Sequence, residues 1–290
     1  MRSILLIFAL SAGMAAPAAA LEIDFTKVLD TAKKIQQATK EINEPREMEL
    51  GDGIASNLLG AAPLLDNQRA QRYVNIVGRW VAMQTERPDL PWRFGVLDDN
   101  DINAFAVPGG SVFITKGLLV RMKNEAELAG VLAHEISHVL RKHHLKAIKK
   151  GARADLLGQL AGRALKEGGA DDPAFKKLIS AGTEVYARGL DKNDEFEADR
   201  MGVVIAARSG YDPYGLPAML QTLHGMNPKD SSLALLFKTH PAFDERLGQL
   251  DELMSEPFER FESQPSLSMR FMQAMGKNGN NGEANRTRGR

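Results

Sequence analysis

Apolar positions follow two rhythms along the chain, a helical one near 3.6 residues and an alternating one near two. The strongest helical stretch starts at Asn124, which is suited to cap a helix, and Glu127 three residues on completes a capping-box pattern. Leu128, Val131, Leu132, Val139 and Leu140 then recur at helical spacing, which predicts one buried face. No proline interrupts the run to His144, and Gly130 is its only glycine. Phe25, Val28, Leu29, Ala32 and Ile35 suit an earlier helix, and Tyr73, Val74, Ile76, Val77 and Trp80 another. Leu156, Leu157, Leu160 and Leu165 place a small-residue helix between Gly151 and Gly169. Three short runs, Trp92–Leu97, Ile102–Val107 and Ser111–Thr115, read as strands, the last two joined by a turn at Pro108-Gly109-Gly110. The pattern is α+β, mainly helical, with a small β-sheet directly before the principal helix.

Composition narrows the setting. Met1–Ala20 has a basic Arg2, an apolar core from Ile4 to Leu10 and a small-residue end at Ala18-Ala19-Ala20, the pattern of a secretory signal cleaved before Leu21. An uncleaved anchor is the alternative, but the apolar core is short against the ~20 residues of a membrane span. No later stretch is long and apolar enough to cross a bilayer, so the expectation is a soluble, exported, periplasmic chain. The 37 basic and 37 acidic residues balance, which argues against a nucleic-acid or general polyanion binder. The chain has no cysteine, hence neither disulfides nor a lipid-modified cysteine. Internal repeats and glycine-rich cofactor fingerprints are absent. The expected division is a signal at 1–20, an N-terminal helical segment at 21–70, the principal domain at 71–260 and a tail at 261–290, disordered after about 275.

Candidate chemistry sits on the principal helix, in His134-Glu135-Ile136-Ser137-His138, an H-E-x-x-H pattern. Four residues is just over one helical turn, so the two imidazoles lie one above the other and can share one cation. Glu135 is rotated off the pair but stays beside it, as a general base for water that a zinc ion would acidify to a pKa of about 7. Ala129, Gly130, Ala133 and Ser137 leave room for close approach of another backbone or a substrate. Zinc needs a third protein ligand, and Asp194–Arg200 offers one. Glu195 and Asp199 are four apart and share a helix face, while Glu197 points away. Ala198, Gly202 and Ala206 let that face pack tightly. Glu195 is the expected third ligand, and Asp199 an outer partner that fixes a ligand histidine. A free strand edge beside the metal helix can hold an extended peptide through its main chain. Asn103, Ala104, Phe105, Gly109 and Gly110 are its candidate substrate contacts, with hairpin geometry as the alternative for Asn103 and the glycines. His143 and His144, in the basic run to Lys150, read as solvated helix-end residues. Asp98–Asp101 reads as a solvated turn and His224 as a helix-end residue.

These motifs together resemble the zinc metalloendopeptidases that include the HtpX, prenyl-protein and BepA-type peptidases. The resemblance runs from about Glu47 to Met254. It rests on Ile102–Gly110, Leu128–His138, Glu195–Asp199 and Thr239-His240-Pro241 with Arg246. It implies a mainly helical zincin with a small sheet, one Zn2+ ion held by His134, His138 and Glu195, and Glu135 as general base. It also implies a histidine near the metal at His240. Pro241 at a first helical position would put that residue at a helix N-terminus. From there it would stabilise an oxyanion or fill the open zinc position and keep the enzyme latent. Arg246 is expected to be a structural ion-pair partner. Lys192 stands where members often carry arginine, which leaves the local pairing in question. The membrane helices and the repeat domain found in some members have no counterpart here. The expected substrates are unfolded or misassembled envelope polypeptides, with the envelope assembly machinery as a partner. Two other readings are a periplasmic chaperone or assembly factor with a latent site, and a structural zinc protein closed by His240.

Overall fold

The computed structural model describes residues 42–151, 182–184, 186, 188–254, 258–261 and 263–276. The signal at 1–20, the helix at Phe25–Ile35, all but the first residue of the helix at Gly151–Gly169 and the tail from Lys277 lie outside them. No helix among the described residues is long and apolar enough to cross a membrane.

Helix α1 (Glu44–Ala61) starts where the Asn43 side chain accepts the Arg46 N–H at 3.1 Å, with a proline in its first turn. Helix α2 (Gln68–Ala82) is capped by Asn67 in the same way. Its buried stripe is Ala70, Val74, Val77 and Val81, narrower than the apolar pattern suggests. Ile76 and Trp80 lie off it, 61% and 48% exposed, and the Trp80 indole donates to the Ser209 carbonyl at 2.8 Å.

The strands β1 (Arg93–Leu97), β2 (Ala104–Val107) and β3 (Ser111–Thr115) fall inside the three runs read from the pattern. Their order is β1-β3-β2, with β3 parallel to β1 and antiparallel to β2, so β2 forms one edge. The Thr115 N–H donates to the Asn103 carbonyl at 3.0 Å, so Asn103, Phe105 and Val107 turn their backbones toward β3. The carbonyls of Ala104 and Ala106 consequently point off the sheet edge.

A short helix α3 (Lys116–Leu119) leads into α4 (Glu125–Leu140), the helix of the H-E-x-x-H motif. Asn124 caps it, accepting the Glu127 N–H at 2.8 Å, while Glu127 accepts from the Lys123 N–H at 2.7 Å, one residue earlier than in a capping box. Every residue from Glu125 to Val139 is buried, so the expectation of one buried face is too modest. A helix that is apolar all round belongs in the middle of a core. Here α2 and the sheet pack on it, as do α5 (Lys192–Arg208) and α6 (Gly215–His224), with His224 at the end of α6 as expected. Helices α7 (Ala234–Thr239), α8 (Phe243–Met254) and α9 (Ser268–Ala274) follow. Helix α9 is docked by the fully buried Phe271 against Tyr73, and by Arg270, whose guanidinium pairs with the buried Glu125 carboxylate. The hydroxyls of Tyr73 and Tyr211 donate to the same carboxylate.

The small residues of α4 have a visible use. A Cβ on Gly130 would lie 2.7 Å from the Leu216 backbone nitrogen of α6, and one on Gly202 of α5 would lie 3.2 Å from the His134 backbone. Gly130→Ala is therefore expected to cost about 1–3 kcal/mol through forced separation of two backbones. Thermal denaturation should show a Tm lowered by roughly 2–12 °C. An unchanged Tm would contradict the close contact.

Candidate active site

Helices α4 and α5 bring His134, His138 and Glu195 together, and the segment after α7 adds His240. One donor atom from each of these four buried residues lies within 4.8 Å of all the others. The Nε2 atoms of His134 and His138 are 3.0 Å apart. Glu195 Oε1 lies 3.4 Å from His138 Nε2, and Oε2 lies 3.5 Å from His134 Nε2. Two nitrogens about 2.05 Å from one tetrahedral ion sit roughly 3.3 Å apart, so the spacing suits a shared metal. Glu195 Oε1 and Glu135 Oε2 are buried without a hydrogen-bond partner, which suits them to a cation and to a water beside it. The group can hold one metal ion.

A second tier fixes the first. Asp199, one turn along α5 from Glu195, places Oδ1 2.9 Å from His134 Nδ1. Arg246 of α8 forks onto Asp199, its Nε and Nη2 each 2.7 Å from a carboxylate oxygen, and its Nη1 reaches Glu195 Oε2 at 3.1 Å. Arg246 is thus shared between two carboxylates. Burial alone would push the Glu195 carboxyl up, but His240 and Arg246 overcome it and hold it well below the usual range. Burial alone would lower His134, yet Asp199 and Glu195 lift it to about 9. A metal that binds there displaces a proton. Burial outweighs the pull of Glu195 on His138 and pushes it well down. Burial raises Glu135, against the pull of the His240 charge.

His240 is buried, but not at a helix N-terminus. It is the C-cap of α7, its N–H donating to the Leu236 carbonyl at 2.8 Å, and α8 begins only at Phe243. The residue before a proline is pushed out of the helical region, and Ala242 follows with φ 64°, so Pro241 ends α7 and does not start α8. The imidazole sits with Nδ1 2.9 Å from Glu195 Oε2 and Nε2 3.2 Å from the Ala104 carbonyl, while Glu135 Oε1 is 3.9 Å away.

The candidate substrate edge divides. Ala104 and Ala106 present their outward carbonyls beside the cluster, but His240 takes the first and the Tyr186 hydroxyl the second, at 2.6 Å. Phe105 packs its ring between Phe113 and Tyr186. Asn103 is buried, and its side chain accepts from the Thr239 hydroxyl at 3.4 Å, tying β2 to the segment that carries His240. Gly109 and Gly110 adopt φ of 85° and 102° in the β2–β3 turn, against Met48 and Trp92, at the far end of β2 from Ala104. The structure does not bring them to the cluster.

His143 and His144 are not solvated: they are 0% and 6% exposed. They are enclosed because α4 does not continue through them. It stops at Leu140, and Lys142 at φ 57° turns the chain back, its ammonium anchored 2.9 Å from buried Glu47. Residues 143–151 form a new helix that tucks both imidazoles beneath His138. His144 stacks on Tyr186. Lys192, by contrast, pairs at the surface with Glu245 at 3.0 Å. Neither Tyr186 nor His143 carries a local sequence signal, since each reaches the site through a chain reversal or a separate helix.

A buried core helix with paired imidazoles, a carboxylate from a neighbouring helix and a glutamate beside them is an arrangement suited to metal-assisted hydrolysis. Residues 68–254 match the profile of Peptidase family M48, and the chain belongs to that family. It is 31% identical over 246 residues to the beta-barrel assembly-enhancing protease of Escherichia coli K12, covering 83% of this chain and 50% of that protein. It is 27% identical over 195 residues to the mitochondrial metalloendopeptidase OMA1 of Schizosaccharomyces pombe, 63% of this chain and 53% of that one. A protease HtpX homolog of Burkholderia mallei is 30% identical over 212 residues, 60% of this chain and 73% of its own length. The chain thus spans about half the length of the assembly-enhancing protease it matches.

Proposed function

We propose that the protein is an exported zinc metalloendopeptidase that hydrolyses unfolded or misassembled envelope polypeptides in the periplasm. The observation that carries this reading is the buried donor set of His134, His138, Glu195 and His240, with the unpartnered Glu135 oxygen beside it. Imidazole and carboxylate donors without thiolates suit zinc. The leader pattern of Met1–Ala20 supports export, and the names of the relatives support an envelope role.

In this reading His134, His138 and Glu195 hold the ion, and Asp199, braced by Arg246, orients His134. Zinc, when bound, supplies a Lewis acid for a scissile carbonyl and for water. Glu135 takes the proton of the attacking water and returns it to the leaving amine. An extended peptide runs along the β2 edge, using the outward main chain of Ala104 and Ala106, while the side chains of Asn103 and Phe105 hold that edge against Thr239 and Tyr186. His240 and Tyr186 occupy the carbonyls that this peptide needs, and His240 also stands where a fourth ligand would. The enzyme is accordingly latent until the His240 segment moves.

The test is hydrolysis of casein by the zinc-loaded chain, wild type beside His240→Ala. Freeing the edge and the metal position should raise the rate by about tenfold or more, the gain expected for an open form populated at roughly a tenth or less. A fall would instead assign His240 to oxyanion stabilisation. The His240 donor also favours a second reading, an assembly factor that binds but does not cleave. Zinc-loaded variants with no hydrolysis in either form would favour that one.

A further inference from the structure

The two histidines of the H-E-x-x-H motif are held differently. His134 has Asp199 behind it, the ordinary carboxylate partner of a ligand imidazole. Behind His138 stands another imidazole: His138 Nδ1 is 3.0 Å from His143 Nδ1, and both residues are fully buried. The far nitrogen of that second ring, His143 Nε2, lies 3.2 Å from Glu197 Oε2 and 3.5 Å from Asp194 Oδ1. Glu197 is itself held by Arg141, whose Nε donates to Oε1 at 2.5 Å.

We propose that His143 is a positioning residue for His138, a relay that extends the carboxylate–histidine pairing by one imidazole and ends on Glu197. Placement of protons makes the case. A neutral histidine that offers Nε2 to a metal carries its hydrogen on Nδ1, so His138 Nδ1–H must donate. Its acceptor has to be an unprotonated His143 Nδ1. The His143 hydrogen then sits on Nε2, where the Glu197 carboxylate accepts it. One assignment of hydrogens satisfies every contact from the metal position to Arg141. The arrangement fixes the His138 tautomer, aims the ring and makes Nε2 a better donor. It also gives Glu197, which turns away from the cluster, a function that runs through two rings. Lys142 is the device that makes the relay possible, because its left-handed backbone brings His143 back beneath α4.

The proposal rests on His138 being a ligand, and the test separates the two claims. Zinc affinity of the full chain is measured by competition with a chromophoric chelator, for wild type, His138→Ala, His143→Asn, His143→Leu and Glu197→Ala. Asparagine and leucine have the same shape, but asparagine Oδ1 occupies the place of His143 Nδ1 and can accept the hydrogen bond. His143→Leu should weaken zinc binding about 10–100-fold. His143→Asn should recover most of that loss, which a packing role would not explain. Glu197→Ala, at the half-exposed end of the relay, should fold normally and weaken binding by a smaller factor. Equal affinities for the asparagine and leucine variants would overturn the relay. If neither folds by circular dichroism, Glu197→Ala decides it, and unchanged affinity there overturns it. Undiminished binding by His138→Ala would instead remove the ligand assignment on which the relay depends.

Discussion

Glu135→Gln is expected to lose peptide hydrolysis while keeping its zinc. Glutamine has the shape of glutamate but no basicity, so the substitution removes proton transfer and little else. Glu135 Oε2 is buried and has no hydrogen-bond partner, and its other oxygen is 3.9 Å from His240. Among the described residues its charge is met by the longer-range pull of His240 and not by a hydrogen bond to Oε2, so glutamine keeps the packing. General base catalysis contributes about 10²–10⁴-fold, and the rate should fall by at least that much. The assay uses both the wild-type and the His240→Ala background, so that latency does not hide the effect. Zinc content should remain at the wild-type level in both. Hydrolysis that survives the substitution would assign the base to another residue.

Arg246→Ala should produce the largest loss of stability. Its guanidinium is fully enclosed between Asp199 and Glu195, with three contacts of 2.7, 2.7 and 3.1 Å. Removing it takes the guanidinium from two buried carboxylates one helical turn apart and leaves the His134 and His240 imidazoles to face them. Breaking a buried ion pair from one side costs about 3–5 kcal/mol, because a charge stays behind without a counterion. The metal-free protein should melt roughly 6–20 °C below wild type in calorimetry. The deficit should shrink when zinc is added, since a divalent cation takes over part of the neutralisation of Glu195. A melting temperature within about 2 °C of wild type in the metal-free state would mean that the site relaxes around the loss.

The parts that sequence made legible are those governed by local geometry. The i,i+4 spacing of His134 and His138, and of Glu195 and Asp199, puts each pair on one helix face regardless of surroundings. The three strands announced themselves through alternation and the Pro108-Gly109-Gly110 turn, and the Asn124 cap through its side chain. What could not be read depends on where elements go after they end. Lys142 has no sequence feature that marks it as left-handed, and that single residue converts His143 and His144 from a solvated basic end into buried neighbours of His138. The position of His240 likewise hinged on whether Pro241 opened the next helix or closed the previous one. Either is compatible with a proline, and the positive φ of Ala242 decided between them. The burial of α4 on every side arises from four surrounding elements, which no single period encodes.

The central claim is that this chain builds a zinc site from His134, His138 and Glu195, and metal content tests it without reliance on turnover. Purified wild-type protein, stripped with a chelator and reloaded with zinc, should bind one tight equivalent per chain. His134→Ala and Glu195→Ala, each folded by circular dichroism, should fail to retain it. Zinc retained undiminished by both variants, or absent from the wild type, would contradict the account.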